Sequence, residues 1–207
     1  MGSYNRKTPI IKRLIDVILS TIIIVIFSPL ILMVSMLIWF SDGRPIFFSH
    51  ERPGLDGKPF KLIKFRSMRT SRGVDGTLLP DGERMTPIGK FIRKTSIDEL
   101  PELVNVLRGD MSLVGPRPLL MQYLPRYSAD QFRRHEVLPG VTGWAQVNGR
   151  NAISWEEKFK LDLWYVDHWS IWLDFKILFM TILKVISGEG ISQPGRATMD
   201  EFMGNDE

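Results

Sequence analysis

The strongest constraint on this chain is a nearly unbroken apolar run, LIDVILSTIIIVIFSPLILMVSMLIWF, at residues 14–40. Crossing a bilayer takes roughly 20 such residues. Helical rise of about 1.5 Å per residue makes this run about 40 Å long, more than enough. It is too long for a cleaved signal peptide, and no A-x-A site follows it. Membrane insertion is therefore the first expectation. Arg6, Lys7, Lys12 and Arg13 precede or open the run with no acid among the first thirteen residues. Such an arm fits an anionic, cytoplasmic lipid surface. Ser28-Pro29 lies in mid-run, where Pro29 cannot donate to the Val25 carbonyl. Two geometries follow: a kinked spanning helix, or a re-entrant hairpin that leaves by the face it entered. In the re-entrant geometry the arms, about 15 and 11 residues, are each too short to cross alone; from the residues alone the kinked span is the simpler.

Beyond residue 42 the composition becomes that of a mixed soluble domain. PIFFSHERPGLDGKPFKLIKFRSM predicts two short strands joined around Asp56-Gly57. Residues 70–89, rich in Gly, Pro and Thr, predict a long loop. A helix is expected from about Ser96 to Leu107, with Arg108-Gly109 as its stop. PGVTGWAQVNGRN, residues 139–151, predicts a turn and a strand, and helices are expected over 154–168 and 171–187. In the last of these Ser170, Asp174, Thr181 and Lys184 form one narrow polar stripe on an otherwise apolar helix. That pattern suits either a core element or a helix lying in a membrane interface.

Several chemistries are excluded. With no cysteine there is no disulfide and no thiolate metal site. His50, His135 and His168 lack zinc-ligand spacing, and no nucleophile elbow or P-loop occurs. A net charge of +4 is mild, and no nucleic-acid module is present, so no nucleic-acid partner is expected.

The segment SIDELPEL, residues 96–103, sets Asp98 beside Glu99 with Pro101 close behind. Ser96 and Glu99 match a capping box, but that leaves Pro101 one turn inside the helix, where it removes a backbone bond. A later helix start accommodates Pro101 and leaves both acids on the entry segment. Adjacent side chains diverge by about 100° on a helix, so two acids here suit two separate tasks. Lys64, Arg66, Arg93, Lys94 and Arg117 are bases able to hold phosphate, and Arg117 is stiffened by Pro116 and Pro118. Two acids, several bases and a membrane insert suggest Mg²⁺-assisted phosphoryl chemistry on a lipid.

SIDELPELVNVLRGDMSLVGPRPL, with RPGLDGKPFKLIKFRSM before it and PGVTGWAQVNGR after it, resembles the bacterial sugar transferases. More narrowly it resembles their small monotopic polyprenyl-phosphate phosphoglycosyl transferases, the size class of the Campylobacter N-glycosylation enzyme. The resemblance implies transfer of a sugar-1-phosphate from a UDP-sugar to undecaprenyl phosphate with release of UMP. It implies Asp98 as nucleophile, Glu99 as Mg²⁺ ligand, and Lys64, Arg93 and Arg117 as phosphate-binding residues. It also implies that Ser28-Pro29 breaks the membrane helix into a re-entrant one, reversing the preference drawn from the residues alone. The expected fold class is then α+β: a basic arm over 1–13, a re-entrant membrane helix over 14–41, and a catalytic domain over 42–207. That domain is expected to be mostly helical, with a short β-hairpin and interfacial amphipathic helices. Expected partners are the UDP-sugar, undecaprenyl phosphate and inner-membrane lipids, with the catalytic domain on the cytoplasmic face. The sugar and the oligomeric state, a homodimer included, are left open. Rival readings are a membrane-bound phosphatase using the same phosphoaspartyl step and a non-catalytic membrane scaffold.

Overall fold

A computed structural model describes residues 8–71, 76–77, 79–149, 153–187 and 201–204. Arg6 and Lys7 of the basic arm, and most of the C-terminal tail, lie outside the described residues. The elements in chain order are α1 (Ile10–Asp42), β1 (Phe47–Pro53), β2 (Pro59–Phe65), α2 (Asp81–Arg84), α3 (Pro87–Lys94) and α4 (Glu102–Arg108). They continue with β3 (Ser112–Val114), α5 (Ala129–Phe132), β4 (Gly140–Thr142), α6 (Trp144–Asn148), α7 (Trp155–His168) and α8 (Ile171–Ser187). The fold is helix-dominated, with two small two-stranded sheets among the described residues.

α1 runs 33 residues, and its helical backbone passes through Pro29. Pro29 leaves the Val25 carbonyl without its usual donor, and the Ser28 hydroxyl donates to that carbonyl instead at 2.8 Å. The helix is thus not interrupted at Ser28-Pro29, as the broken-helix expectation had it. Its two halves pack separately on the globular domain. Leu19, Ile23 and Ile24 pack on the main core around Leu62, Leu103 and Val106. Val34 and Ile38 form a second core with Phe65 and Ile92.

Two expected lipid-facing charges turn inward instead. Lys12 is buried, donating to Asp174 Oδ2 at 2.6 Å and to the Val114 carbonyl at 3.1 Å. Arg13 caps the C-terminal carbonyls of α4, including Leu107 at 2.8 Å. Tyr165 also donates to Asp174, at 2.7 Å, so one buried carboxylate ties α1, α7 and α8 together.

The β1–β2 hairpin forms as expected, antiparallel from Phe47↔Phe65 to Pro53↔Pro59. Elsewhere the structure adds elements. The segment expected as loop over 70–89 contains α2 and the start of α3, which Thr86 caps by accepting from the Gly89 amide at 2.9 Å and Pro87 opens. β3 pairs in parallel with β4, a long-range pairing without local signature. α6 occupies part of the expected 139–151 turn and strand. α7 opens with a full capping box, Ser154 with Glu157. On α8 the polar stripe is the inward face: Asp174 binds Lys12, and Thr181 meets the Thr142 hydroxyl at 2.7 Å. The outward face is apolar, with Trp172 84%, Phe179 61% and Ile186 78% exposed.

Candidate active site

The site begins where α3 ends. Ser96 has φ 56, in the left-handed region unusual for a residue with a Cβ, and its side chain makes no cap hydrogen bond. The capping-box reading of Ser96 and Glu99 therefore fails. Ile97–Glu99 form a single 3-10 turn, Pro101 stands at the N-cap, and α4 starts only at Glu102. The late start that Pro101 called for is what the backbone adopts. α4 stops at Gly109, whose φ of 92 suits a residue without a side chain.

Four of the five expected site residues come together at this turn. Lys64, from the hairpin face packed on α4, bridges Glu99 and Glu102 at 2.9 Å each. Arg117, from the Pro-flanked segment after β3, donates to the same Glu99 oxygen, Oε1. Asp98 is 7% exposed beside them. Arg93 stands at the border: its Nε donates to the Ser67 hydroxyl at 3.0 Å, and its charge reaches Asp98. Ser28 and Pro29 are far along the chain, exposed in the middle of α1.

The two neighbouring acids are electrostatically opposite. Burial alone would raise the Glu99 pKa, but Arg117 and Lys64 hold it well below the usual carboxylate range. Burial, with the like charge of Glu99, pushes Asp98 up to about 6, despite the opposing pull of Lys64, Arg117 and Arg93. Glu99 is thus a fixed anion neutralised by two cations. Asp98 is a more basic carboxylate, still ionised at neutral pH.

Sequence reasoning assigned no role to two members of this site. Glu102, 2% exposed, is the second anchor of Lys64, and burial lifts its pKa to about 7. Its place in SIDELPEL, four residues after Asp98, was the available signal. Arg52, in the RPGLDG turn motif, lies close enough for Arg117 and Glu102 to act on its charge.

Among the described residues no group of three or more metal-ligating side chains is present. Mg²⁺ is commonly held by one or two carboxylates with substrate phosphate oxygens and water. Lys64 and Arg117 both engage Oε1 of Glu99, so Oε2 is the oxygen that neither of them takes. Glu99, through that oxygen, is the residue that would hold a cation here, with substrate and water supplying the remaining ligands.

The arrangement gathers cationic and carboxylate side chains on a domain that carries one helix long and apolar enough to cross a membrane. Residues 7–188 match the family model described as Bacterial sugar transferase. The uncharacterized sugar transferase EpsL of Bacillus subtilis is 56% identical over 196 residues, which cover 95% of this chain and 97% of that protein. The UDP-glucose:undecaprenyl-phosphate glucose-1-phosphate transferase of Escherichia coli K12 is 39% identical over 185 residues, 84% of this chain. The undecaprenyl-phosphate galactose phosphotransferase of Salmonella typhimurium is 40% identical over 206 residues, 90% of this chain. The match takes in only 40% and 42% of those two longer proteins. With the family model spanning the globular domain and the apolar helix alike, this chain belongs to the bacterial sugar transferase family.

Proposed function

We propose that the protein transfers a sugar-1-phosphate from a UDP-sugar to undecaprenyl phosphate, giving undecaprenyl-diphosphate-sugar and UMP. The relatives' names supply the substrate classes. The observation that carries the mechanism is the division of labour between the acids. The ion pairs of Lys64 and Arg117 go to Glu99 and Glu102, leaving Asp98 as the basic carboxylate among cations.

In the first half-reaction an Asp98 carboxylate oxygen attacks the β-phosphorus of the UDP-sugar. The bond from that phosphorus to the bridging oxygen breaks, and UMP leaves with the electron pair. The product is an acyl phosphate bearing the sugar. In the second half-reaction a phosphate oxygen of the lipid attacks the same phosphorus and the Asp98 carboxylate departs. Arg93 and Arg117 orient the phosphates and offset their charge, and Lys64 holds Glu99 and Glu102 in place. Mg²⁺, when bound at Glu99, supplies charge neutralisation on the diphosphate.

Membrane placement on a single face follows the same reading. Both ends of α1 are tied to one globular domain: Lys12 to Asp174 at the start, and Asp42 to Arg69 at 2.9 Å at the end. Its middle is open, with Val25 65% and Ile26 64% exposed. A helix straddling about 30 Å of hydrocarbon could not keep both ends on one water-soluble body. We therefore infer a monotopic protein with a re-entrant α1 bent at Pro29 and the outer face of α8 in the interface. UDP-sugars are cytoplasmic, which puts the domain on the cytoplasmic face of the inner membrane.

The test is capture of the intermediate. Wild type incubated with a panel of UDP-sugars and no lipid should release UMP and gain a sugar-phosphate mass on the peptide holding Asp98. Asp98→Asn should do neither while melting at a similar temperature. Turnover of Asp98→Asn above a tenth of wild type would favour direct transfer. Release of free sugar phosphate in place of lipid product would favour a phosphatase.

A further inference from the structure

Arg52 has no role in the mechanism above, yet its setting is that of an anion-binding group. In the hairpin register Arg52 stands opposite Phe60, and Phe48 opposite Lys64. Paired residues of an antiparallel ladder share a face, and that face repeats every second residue. Arg52, Phe60, Leu62 and Lys64 are therefore on one side of the hairpin. Leu62 packs there on Leu103 and Val106 of α4, and Lys64 reaches Glu102. Arg52 is on that same face, four residues along β1 from Phe48, the cross-strand partner of Lys64, and Glu102 at the start of α4 acts on its charge. Its Nε is buried and has no hydrogen-bond partner among the described residues.

A buried guanidinium nitrogen without an acceptor is costly and calls for an explanation. Burial and the nearby Arg117 guanidinium together lower the Arg52 pKa. Glu102 is the acid acting on it, but Oε1 of Glu102 is already held by Lys64, and its pKa of about 7 leaves it only partly ionised near neutrality. Arg117 has Glu99 as its partner, so Arg52 is the guanidinium left without a full counter-charge. Tyr123 and Tyr127 also lie within electrostatic reach of Arg52.

We propose that Arg52 and Arg117 together form the subsite for the phosphate that leaves with the nucleotide, with Tyr123 and Tyr127 beside it. This rests on the UDP-sugar reading above and adds a phosphate-binding residue to it. When the bond between the β-phosphorus and the bridging oxygen breaks, the departing monophosphate gains a negative charge. A guanidinium waiting there stabilises that charge as it develops. Arg52 therefore serves the first half-reaction and the binding of nucleoside monophosphate. It has no part in attack by the lipid phosphate, which follows departure of the nucleotide.

The experiment compares the full-length wild type with Arg52→Gln in detergent. UMP binding is measured by calorimetry, UMP release in a single turnover, and lipid transfer from adduct formed beforehand. Losing a charge-assisted contact should weaken UMP binding and slow UMP release about ten- to a hundred-fold. Transfer from the preformed adduct should stay within about twofold. UMP binding unchanged in a folded Arg52→Gln overturns the subsite, as does equal slowing of both half-reactions. If Arg52→Gln fails to fold, arginine modification by phenylglyoxal in wild type decides. UMP should protect Arg52, and equal modification with and without UMP overturns the proposal. Failure of wild type to release UMP from any UDP-sugar would instead sink the transferase reading, while UMP binding and protection would still report on Arg52.

Discussion

The raised pKa of Asp98 makes the pH profile a direct test of its role. A carboxyl titrating at about 6 is about 90% ionised at pH 7 and about 10% at pH 5. An ordinary aspartate would remain about 90% ionised at pH 5. Only the anion attacks phosphorus, so activity is present above the folded-state pKa and lost as pH falls through it. kcat/KM for the UDP-sugar, followed as UMP release without lipid, reports the free enzyme. It should fall about tenfold from pH 7 to pH 5, with a limb near pH 6. Glu102 also titrates in this range, at about 7, so Glu102→Gln is the control. The variant should keep the limb near pH 6, because Glu99 and not Glu102 supplies the like charge that helps raise Asp98. Lys64→Met removes a cation that lowers the Asp98 pKa and should move the limb to higher pH. A profile flat down to pH 4.5, or a limb that vanishes in Glu102→Gln, would refute Asp98 as the ionising nucleophile.

Three further outcomes are expected. Single cysteines at Ser3 and Ser187, free of background in a chain without native cysteine, should resist an impermeant thiol reagent in intact cells and react after lysis. Labelling of the Ser3 probe from outside would restore the spanning helix. A Cβ at Gly89 would meet the Ser67 carbonyl oxygen at 1.9 Å, so Gly89→Ala should push α3 off the segment that holds Arg93. We expect a loss of about 1–3 kcal/mol in denaturant melts together with a raised KM for UDP-sugar. Chelation with EDTA should stop turnover and Mg²⁺ restore it, with Glu99→Gln responding weakly. Full activity in EDTA would remove the metal.

Much of this protein is legible in the chain because its signals are local. The apolar run of α1, the hairpin around Asp56-Gly57 and the capped α7 each depend on neighbours within a few residues, where periodicity and turn chemistry act. Pro101 likewise told of the late start of α4, since the missing N–H and fixed φ of proline operate on its own turn. The pairing of Asp98 with Glu99 was visible for the same reason. Thr86-Pro87 carried an equally local helix start that a Gly- and Thr-rich context concealed.

What only the tertiary structure decided involves residues distant in sequence. Lys12 and Arg13 look like lipid-facing charges until Asp174 and the end of α4 arrive to receive them. The polar stripe of α8 turns inward because Lys12 and Thr142 are there, leaving the apolar face outside. β3 and β4 pair across an intervening stretch that no period announces. The difference between Asp98 and Glu99 is of the same kind. The two acids are neighbours in sequence, and the chain alone gives them similar pKa values. Lys64 and Arg117 come from elsewhere in the chain to hold one of them as an anion, and burial leaves the other basic. Charge and desolvation act through space, so the difference between two adjacent carboxylates was fixed by what folding brought beside them.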